Sequence, residues 1–209
     1  MTCRSTAPRR ALILVGVIVL HRLTAFAASN VASQESRGNA LAIQLRAQRP
    51  AEEFTTPGLL RQREATGRWK HAIPVRFEVR LGTDSWQSIY RALGTGGQPM
   101  EVLVVTHSDT GPNRYEYWRA SQSTVDSPSG TRLSGSEAAI PFAGSEFWLS
   151  DLGLEFLHWP SQKLIGNQMR KGRACHMLES LHPAPPNGGY ARVVSWIDVE
   201  HCGLLRAEA

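Results

Sequence analysis

"AIPVRFEVRL", residues 72–81, is the stretch on which the fold turns. In an extended backbone Ile73, Val75, Phe77, Val79 and Leu81 fall on one side, with Arg76, Glu78 and Arg80 on the other. Successive side chains of a strand point to opposite faces, so this period of two predicts a β-strand with one buried face. On a helix the same apolar residues would be scattered around the axis.

Neighbouring stretches extend the pattern. "GLLRQREATGRW" (58–69) reads as a strand before it, and "SWQSIYRAL" (85–93) as a strand after it, closed by the turn "GTGGQP" (94–99). "MEVLVVTHS" (100–108) is apolar on both faces over Val102–Val105, as expected of a strand covered on both sides. "NRYEYWRA" (113–120) alternates again, and residues 121–140 read as a long Ser, Gly and Thr-rich loop with room for a short strand. "QKLIGNQMRKGRACHMLES" (162–180) reads as two strands hinged at Lys171-Gly172, followed by "YARVVSWIDVE", a turn at His201–Gly203, and "LLRAEA". Gly172 and Gly203 stand where hairpins tolerate positive φ. Upstream, "NALAIQLRAQ" (39–48) sets Leu41 and Leu45 four apart beside Ala42, predicting a short helix that Pro50 ends. The fold class expected is therefore α+β: a helix and a single large antiparallel sheet in meander order, with no second domain.

Three segments are expected: a signal peptide over 1–27, a flexible leader over 28–38 and one domain over 39–209. Arg4, Arg9 and Arg10 precede the apolar run Ala11–Leu20, and Ala25-Phe26-Ala27 offers small residues for cleavage near Ala27. The apolar run is too short to span a bilayer about 30 Å thick. The segment holds Arg4, Arg9, Arg10 and Arg22 and no acid, so the 23 basic residues of the chain fall to 19 against 18 acidic ones, or +1. The basic character belongs mostly to the leader, which argues against a nucleic-acid partner. Cys175 and Cys202 remain, and an exported chain permits either a disulfide between them or two separate thiols.

No catalytic residue, metal site or cofactor is predicted. "THSD" (106–109) places Ser, His and Asp together only in sequence and reads as a polar strand end. In "CH" (175–176) the two side chains face opposite ways on a strand, unlike a metal pair. "GTGGQP" lacks the Lys and Ser/Thr of a phosphate loop. Asp151 and Glu155 are one helical turn apart, and with Ser150 as N-cap they read as dipole-favoured acids. An exported hydrolase using Asp151, Glu155 or His158 is the chemical alternative.

"GSEFWLSDLGLEFLHWP", residues 144–160, is then the open question. A curled sheet with one helix leaves an apolar trough. In one reading this segment is a lid over it, with Phe147, Trp148, Leu152 and Phe156 turned inward and Asp151, Glu155 and His158 at the wet edge. In the other it is ordinary core.

The stretch "EFWLSDLGLEFL", the hairpin at 162–180 with Gly166 and Cys175, and "YARVVSWIDVEHCGLLRAEA" together resemble the LolA-like outer-membrane lipoprotein-sorting proteins. The likeness covers about residues 39–209. It implies an unclosed antiparallel half-barrel with a helical plug or lid, located in the periplasm, whose hollow carries acyl chains of lipoproteins or lipids. The wall expected from that reading is Ile73, Val75, Phe77, Val79 and Leu81, covered by Leu41 and Leu45 on the helix and by the four apolar lid residues. The chain departs from the family in having Phe156 where an acidic residue is usual. It also stops at Ala209, where relatives continue with a further hairpin, so truncation of the last strands is expected. The alternative on this scaffold is an envelope regulatory sensor whose partner is a membrane protein.

Overall fold

The computed structural model describes residues 31–64, 66–108, 111–120, 130–135, 137–185 and 189–209. The expected signal segment lies outside them, as do residues 121–129. Residues 31–46 are helical and are called helix α1. The strands that follow are β1 (Phe54–Leu60), β2 (Ile73–Leu81), β3 (Ser85–Leu93), β4 (Pro99–Ser108), β5 (Arg114–Arg119) and β6 (Thr131–Leu133). Next comes a strap with a 3₁₀ turn at Phe142–Gly144, helix α2 (Leu149–Leu152) and a second 3₁₀ turn at Glu155–His158. The chain ends in β7 (Ser161–Arg170), β8 (Arg173–Leu181), β9 (Arg192–Asp198) and β10 (Leu204–Glu208).

The architecture is the expected unclosed antiparallel half-barrel with a helical cover, but in two sheets rather than one. β1 to β6 form a six-stranded meander, and the second sheet has the order β10-β9-β8-β7. The break falls at the strap, where Ala143 and Leu154 adopt positive φ and the backbone cannot stay extended. Among the described residues no helix is long and apolar enough to cross a membrane.

β2 begins and ends where its alternation predicts, and β3, β4 and β5 pair in the expected order. The first strand lies earlier than expected, at Phe54–Leu60, and residues 63 and 69 make only an isolated bridge. Pro57 has no N–H to give, and β1 tolerates it because it is an edge. β4 is fully buried on one face only: Leu103 and Val105 are inside, while Val102 and Val104 are half-buried on the open outer face. In the β7–β8 hairpin, Lys171 and Gly172 both take positive φ, the conformation a tight two-residue turn requires. In the β9–β10 turn it is Cys202, not Gly203, that carries the positive φ.

The described part of the expected flexible leader, residues 31–38, is helical. Its buried stripe is Gly38, Ala42 and Leu45, at the spacing of one helical face. A Cβ on Gly38 would lie 2.6 Å from the Gln162 carbonyl oxygen and the Lys163 Cα, so α1 docks with its bare backbone against the start of β7. That contact gives small, polar residues a tertiary reason to be ordered.

The strap ties the two sheets together. Its first half puts Ala138, Phe142 and Leu149 onto Leu103, Val105, Tyr115 and Tyr117 of the first sheet. Its second half puts Phe156 and Leu157 onto Leu178, Val193 and Ile197 of the second, where Ala42 and Leu45 of α1 join them. Burying one such side chain contributes about 1.5–3 kcal/mol, so the strap is part of the core. Glu101 pins it: its carboxylate accepts from the Ala143 N–H at 2.8 Å and the Tyr117 hydroxyl at 2.7 Å, and pairs with Arg119 at 3.0 Å.

Cys175 and Cys202 are free thiols, the second of the two states the sequence left open. Cys175 packs with Val194 and Trp196 on one face of the second sheet, while Cys202 packs with the cluster around Val193 and Ile197 on the other. The sheet itself separates them.

Candidate functional site

Between the inner face of the first sheet and the strap lies an open cavity of about 590 Å³. Register builds one wall. Phe77 on β2 stands opposite Tyr90 on β3, with ring centroids 4.9 Å apart. One step further, Trp86 stands opposite His107 on β4, and the two rings stack at 3.9 Å. The strap supplies the facing wall with Leu152, Leu154 and Phe156, and Val193 comes from the second sheet.

A chain of polar contacts lies under the apolar lining. The Asn113 amide nitrogen donates to the Gly153 carbonyl at 2.7 Å, which leaves its oxygen facing His107 Nδ1 at 3.0 Å. Nδ1 must therefore donate, and in a neutral imidazole Nε2 is the acceptor. Ser88 Oγ lies 3.0 Å from Nε2 and donates to it. Burial holds the His107 imidazole down to about 4, so the ring is neutral at ordinary pH. Tyr90 donates to the Leu152 carbonyl at 3.0 Å, and burial pushes its phenol up to about 12.

The rim is acidic and aromatic. Asp151 Oδ2 accepts from the Trp148 N–H at 2.8 Å and from the Tyr190 hydroxyl at 3.3 Å. Burial raises the Asp151 carboxyl. Trp148 stacks on Tyr190 at 5.1 Å. A second cavity of about 560 Å³ lies behind the Trp86–His107 pair and is lined by α1 and by Asn113, Glu155 and His158.

The structure sorts the residues singled out from sequence. Phe77, Phe147, Leu152 and Phe156 meet at the main cavity, with Phe147 at its rim and 51% exposed instead of turned inward. Ile73 and Val75 pack into the core beside it, Val79 is buried, and Leu81 is half-buried opposite Trp86. Thus only Phe77 of the five β2 residues reaches the hollow. Leu41 and Leu45 pack on the second sheet, and Leu45 also lines the second cavity. Trp148 serves as N-cap of α2, a place expected for Ser150. Glu155 is half-buried, accepting from the buried Tyr115 hydroxyl at 2.7 Å, and borders the second cavity instead of the main one. His158 faces Arg46 at 3.4 Å, and burial lowers its imidazole.

Sequence reading missed Ser88, Tyr90, His107 and Asn113. The signal was the hairpin register: a turn at Gly94–Gln98 places Ser88 opposite Val105 and Trp86 opposite His107.

With this geometry in view, comparison with known proteins is informative about fold. Residues 100–209, more than half of the chain, match a family model described as "Uncharacterized protein". The chain is similar in structure to a domain assigned to outer membrane lipoprotein sorting from Vibrio parahaemolyticus, with TM-score 0.60, 16% identity, and coverage of 83% of this chain and 72% of that one. It is also similar to a DUF1329 family protein from Desulfovibrio piger, with TM-score 0.58, 17% identity, and coverage of 84% and 72%. Comparison with curated proteins gives no sequence match. At these identities the likeness is one of fold alone, the unclosed half-barrel shared with that lipoprotein-sorting domain.

Proposed function

Starting from a chain that belongs to the family matched over residues 100–209 and has a LolA-like half-barrel, we propose that it is an acyl-chain carrier of the cell envelope. It shields the fatty tail of a lipid or lipoprotein during transfer toward the outer membrane, without catalysing a reaction. The observation that carries this reading is the open cavity of about 590 Å³ whose apolar lining includes Phe77, Trp86, Tyr90, Leu152, Leu154 and Phe156. That volume lies within the roughly 300–1,000 Å³ typical of ligand sites. An acyl chain crossing water exposes apolar surface at about 25 cal/mol per Å², and an apolar hollow removes that cost.

Two further features support the reading. The similar Vibrio domain is assigned to lipoprotein sorting, and residues 1–27 have the charge, apolar core and cut layout of an export signal. Export places the protein in the periplasm, where no nucleotide or redox cofactor is required for passive carriage.

Native mass spectrometry of protein purified from the periplasm tests the proposal. The expected result is co-purifying lipid or acylated peptide, released on denaturation and lost in Phe77→Glu. Protein recovered free of lipid from both compartments of an expressing cell, with the cavity unable to take up added fatty acid, would sink it.

A further inference from the structure

The hairpin that joins β1 to β2 lines neither of the two cavities, and its composition is unlike the rest of the chain. Residues 61–71, "RQREATGRWKH", set Arg61, Arg63, Arg68 and Lys70 against the single acid Glu64, a net of +3 where residues 28–209 together carry +1. All four cations are exposed. Glu64 takes up Arg68, whose guanidinium donates to both of its carboxylate oxygens at 3.1 Å. Arg61, Arg63 and Lys70 make no salt bridge among the described residues. Beside them stands Trp69, 61% exposed, with the Arg63 guanidinium 5.5 Å from its ring centroid. Arg63 and Trp69 are bridge partners across the hairpin, so both side chains leave the same side of it. The tip is ordered by its own backbone. The Glu64 N–H donates to the Arg68 carbonyl and the Gly67 N–H to the Glu64 carbonyl, each at 2.8 Å, and Gly67 supplies the positive φ. An indole held out in water by such a tip is apolar surface that the fold itself does not use.

We propose that this hairpin docks the protein on anionic lipid bilayers, with Trp69 in the head-group layer and Arg61, Arg63 and Lys70 on the lipid phosphates. It stands apart from the acyl-carrier reading, since it concerns the surface the protein rests on and not what the hollow holds. An indole has an apolar body and one polar N–H, and therefore favours the boundary between hydrocarbon and water. The Arg63 contact keeps a cation at the same depth as the ring. Each cation brought to an anionic surface strengthens association about fivefold, so three of them and one ring give a firm but reversible attachment.

The test is sedimentation of the purified protein with vesicles of phosphatidylglycerol and phosphatidylcholine in equal parts, or of phosphatidylcholine alone. Binding to the mixed vesicles is expected to be at least about tenfold tighter and to be reversed by raised salt. Arg61→Gln, Arg63→Gln and Lys70→Gln combined should weaken it at least about tenfold, and Trp69→Ser about threefold or more. Removing the same charge elsewhere, by Arg76→Gln, Arg114→Gln and Lys171→Gln combined, should change it about twofold at most, because screening confines the attraction to cations near the surface. Melting curves confirm that the variants fold. Equal binding to both vesicles, or to neither, overturns the proposal. So does an equal loss in the two triple variants, which would assign binding to net charge, and so does undiminished binding by Trp69→Ser. Binding to native membranes that is abolished by treating those membranes with protease, without binding to lipid vesicles, overturns it in favour of a protein partner. The carrier reading is untouched by any of these results, being tested by co-purifying lipid.

Discussion

Phe77 and Tyr90 face each other across β2 and β3 with ring centroids 4.9 Å apart and planes tilted by 37°, and both rings border the open hollow. Their shared edge is apolar surface that nothing in the chain fully covers. Placing a carboxylate there puts charge against the tail of any bound lipid. Phe77→Glu is expected to weaken acyl binding at least about tenfold. It should lower stability by only about 1 kcal/mol, because the ring is half-buried. Binding titration and urea unfolding measure the two effects separately. Unchanged affinity in a folded variant would remove Phe77 from the site.

Gly38 offers a test in which propensity and packing have opposite signs. Alanine is favoured over glycine in a helix by about 1 kcal/mol. At this position, however, a Cβ would sit 2.6 Å from backbone atoms of Gln162 and Lys163. Gly38→Ala is expected to destabilise the protein by about 1–3 kcal/mol through overpacking. Thermal unfolding reads the sign, and a rise in Tm would show that α1 does not dock on β7.

Acid should destabilise the fold through His107. The ordinary imidazole value is 6.5, and burial holds this one at about 4. As pH falls through 6.5 the unfolded chain takes up a proton that the folded chain refuses. The stability conferred by the neutral ring is therefore complete above 6.5 and lost progressively down to about 4, by on the order of 2–3 kcal/mol. His158, also lowered by burial, acts in the same sense. Asp151, raised by burial, acts in the opposite one. The comparison that isolates His107 is urea unfolding at neutral and mildly acidic pH for the native chain and His107→Gln. The variant should lose distinctly less stability in acid.

The two thiols supply a chemical check. Cys175 and Cys202 lie on opposite faces of the second sheet. Reducing agent is expected to leave Tm unchanged, and a non-reducing digest should contain no peptide linking them. A linked peptide in good yield would require a different packing of β8 against the β9–β10 turn.

Most of the sheet was legible because its causes are local. The alternation at 73–81, the turn residues at 94–98 and the Lys171-Gly172 hinge specify strand and hairpin without reference to distant residues. The helicity of residues 31–37 was not legible, since they carry little apolar periodicity and are ordered by Gly38 meeting β7, a contact between segments more than a hundred residues apart. The division into two sheets depends on positive φ at Ala143 and Leu154, residues with no intrinsic preference for it. At the site, the aromatic segment at 144–160 showed where apolar cover would come from. It could not show that Phe156 borders the main hollow and Leu157 the second cavity while both pack into the core of the second sheet, because both readings place the same residues in the same turn. Ser88 and His107 escaped for another reason: each is an isolated polar residue until the β3–β4 register puts them 3.0 Å apart.

Locating a bound tail is the most direct measurement of whether the hollow carries acyl chains. A fatty acid bearing a photoreactive diazirine at its methyl end can be crosslinked to the purified protein and the adducts mapped by tandem mass spectrometry. Adducts on Phe77, Tyr90, Leu152 or Phe156 are the predicted result. Adducts confined to Val102, Val104 and Trp118 on the outer face of the first sheet, or none at saturating ligand, would contradict it.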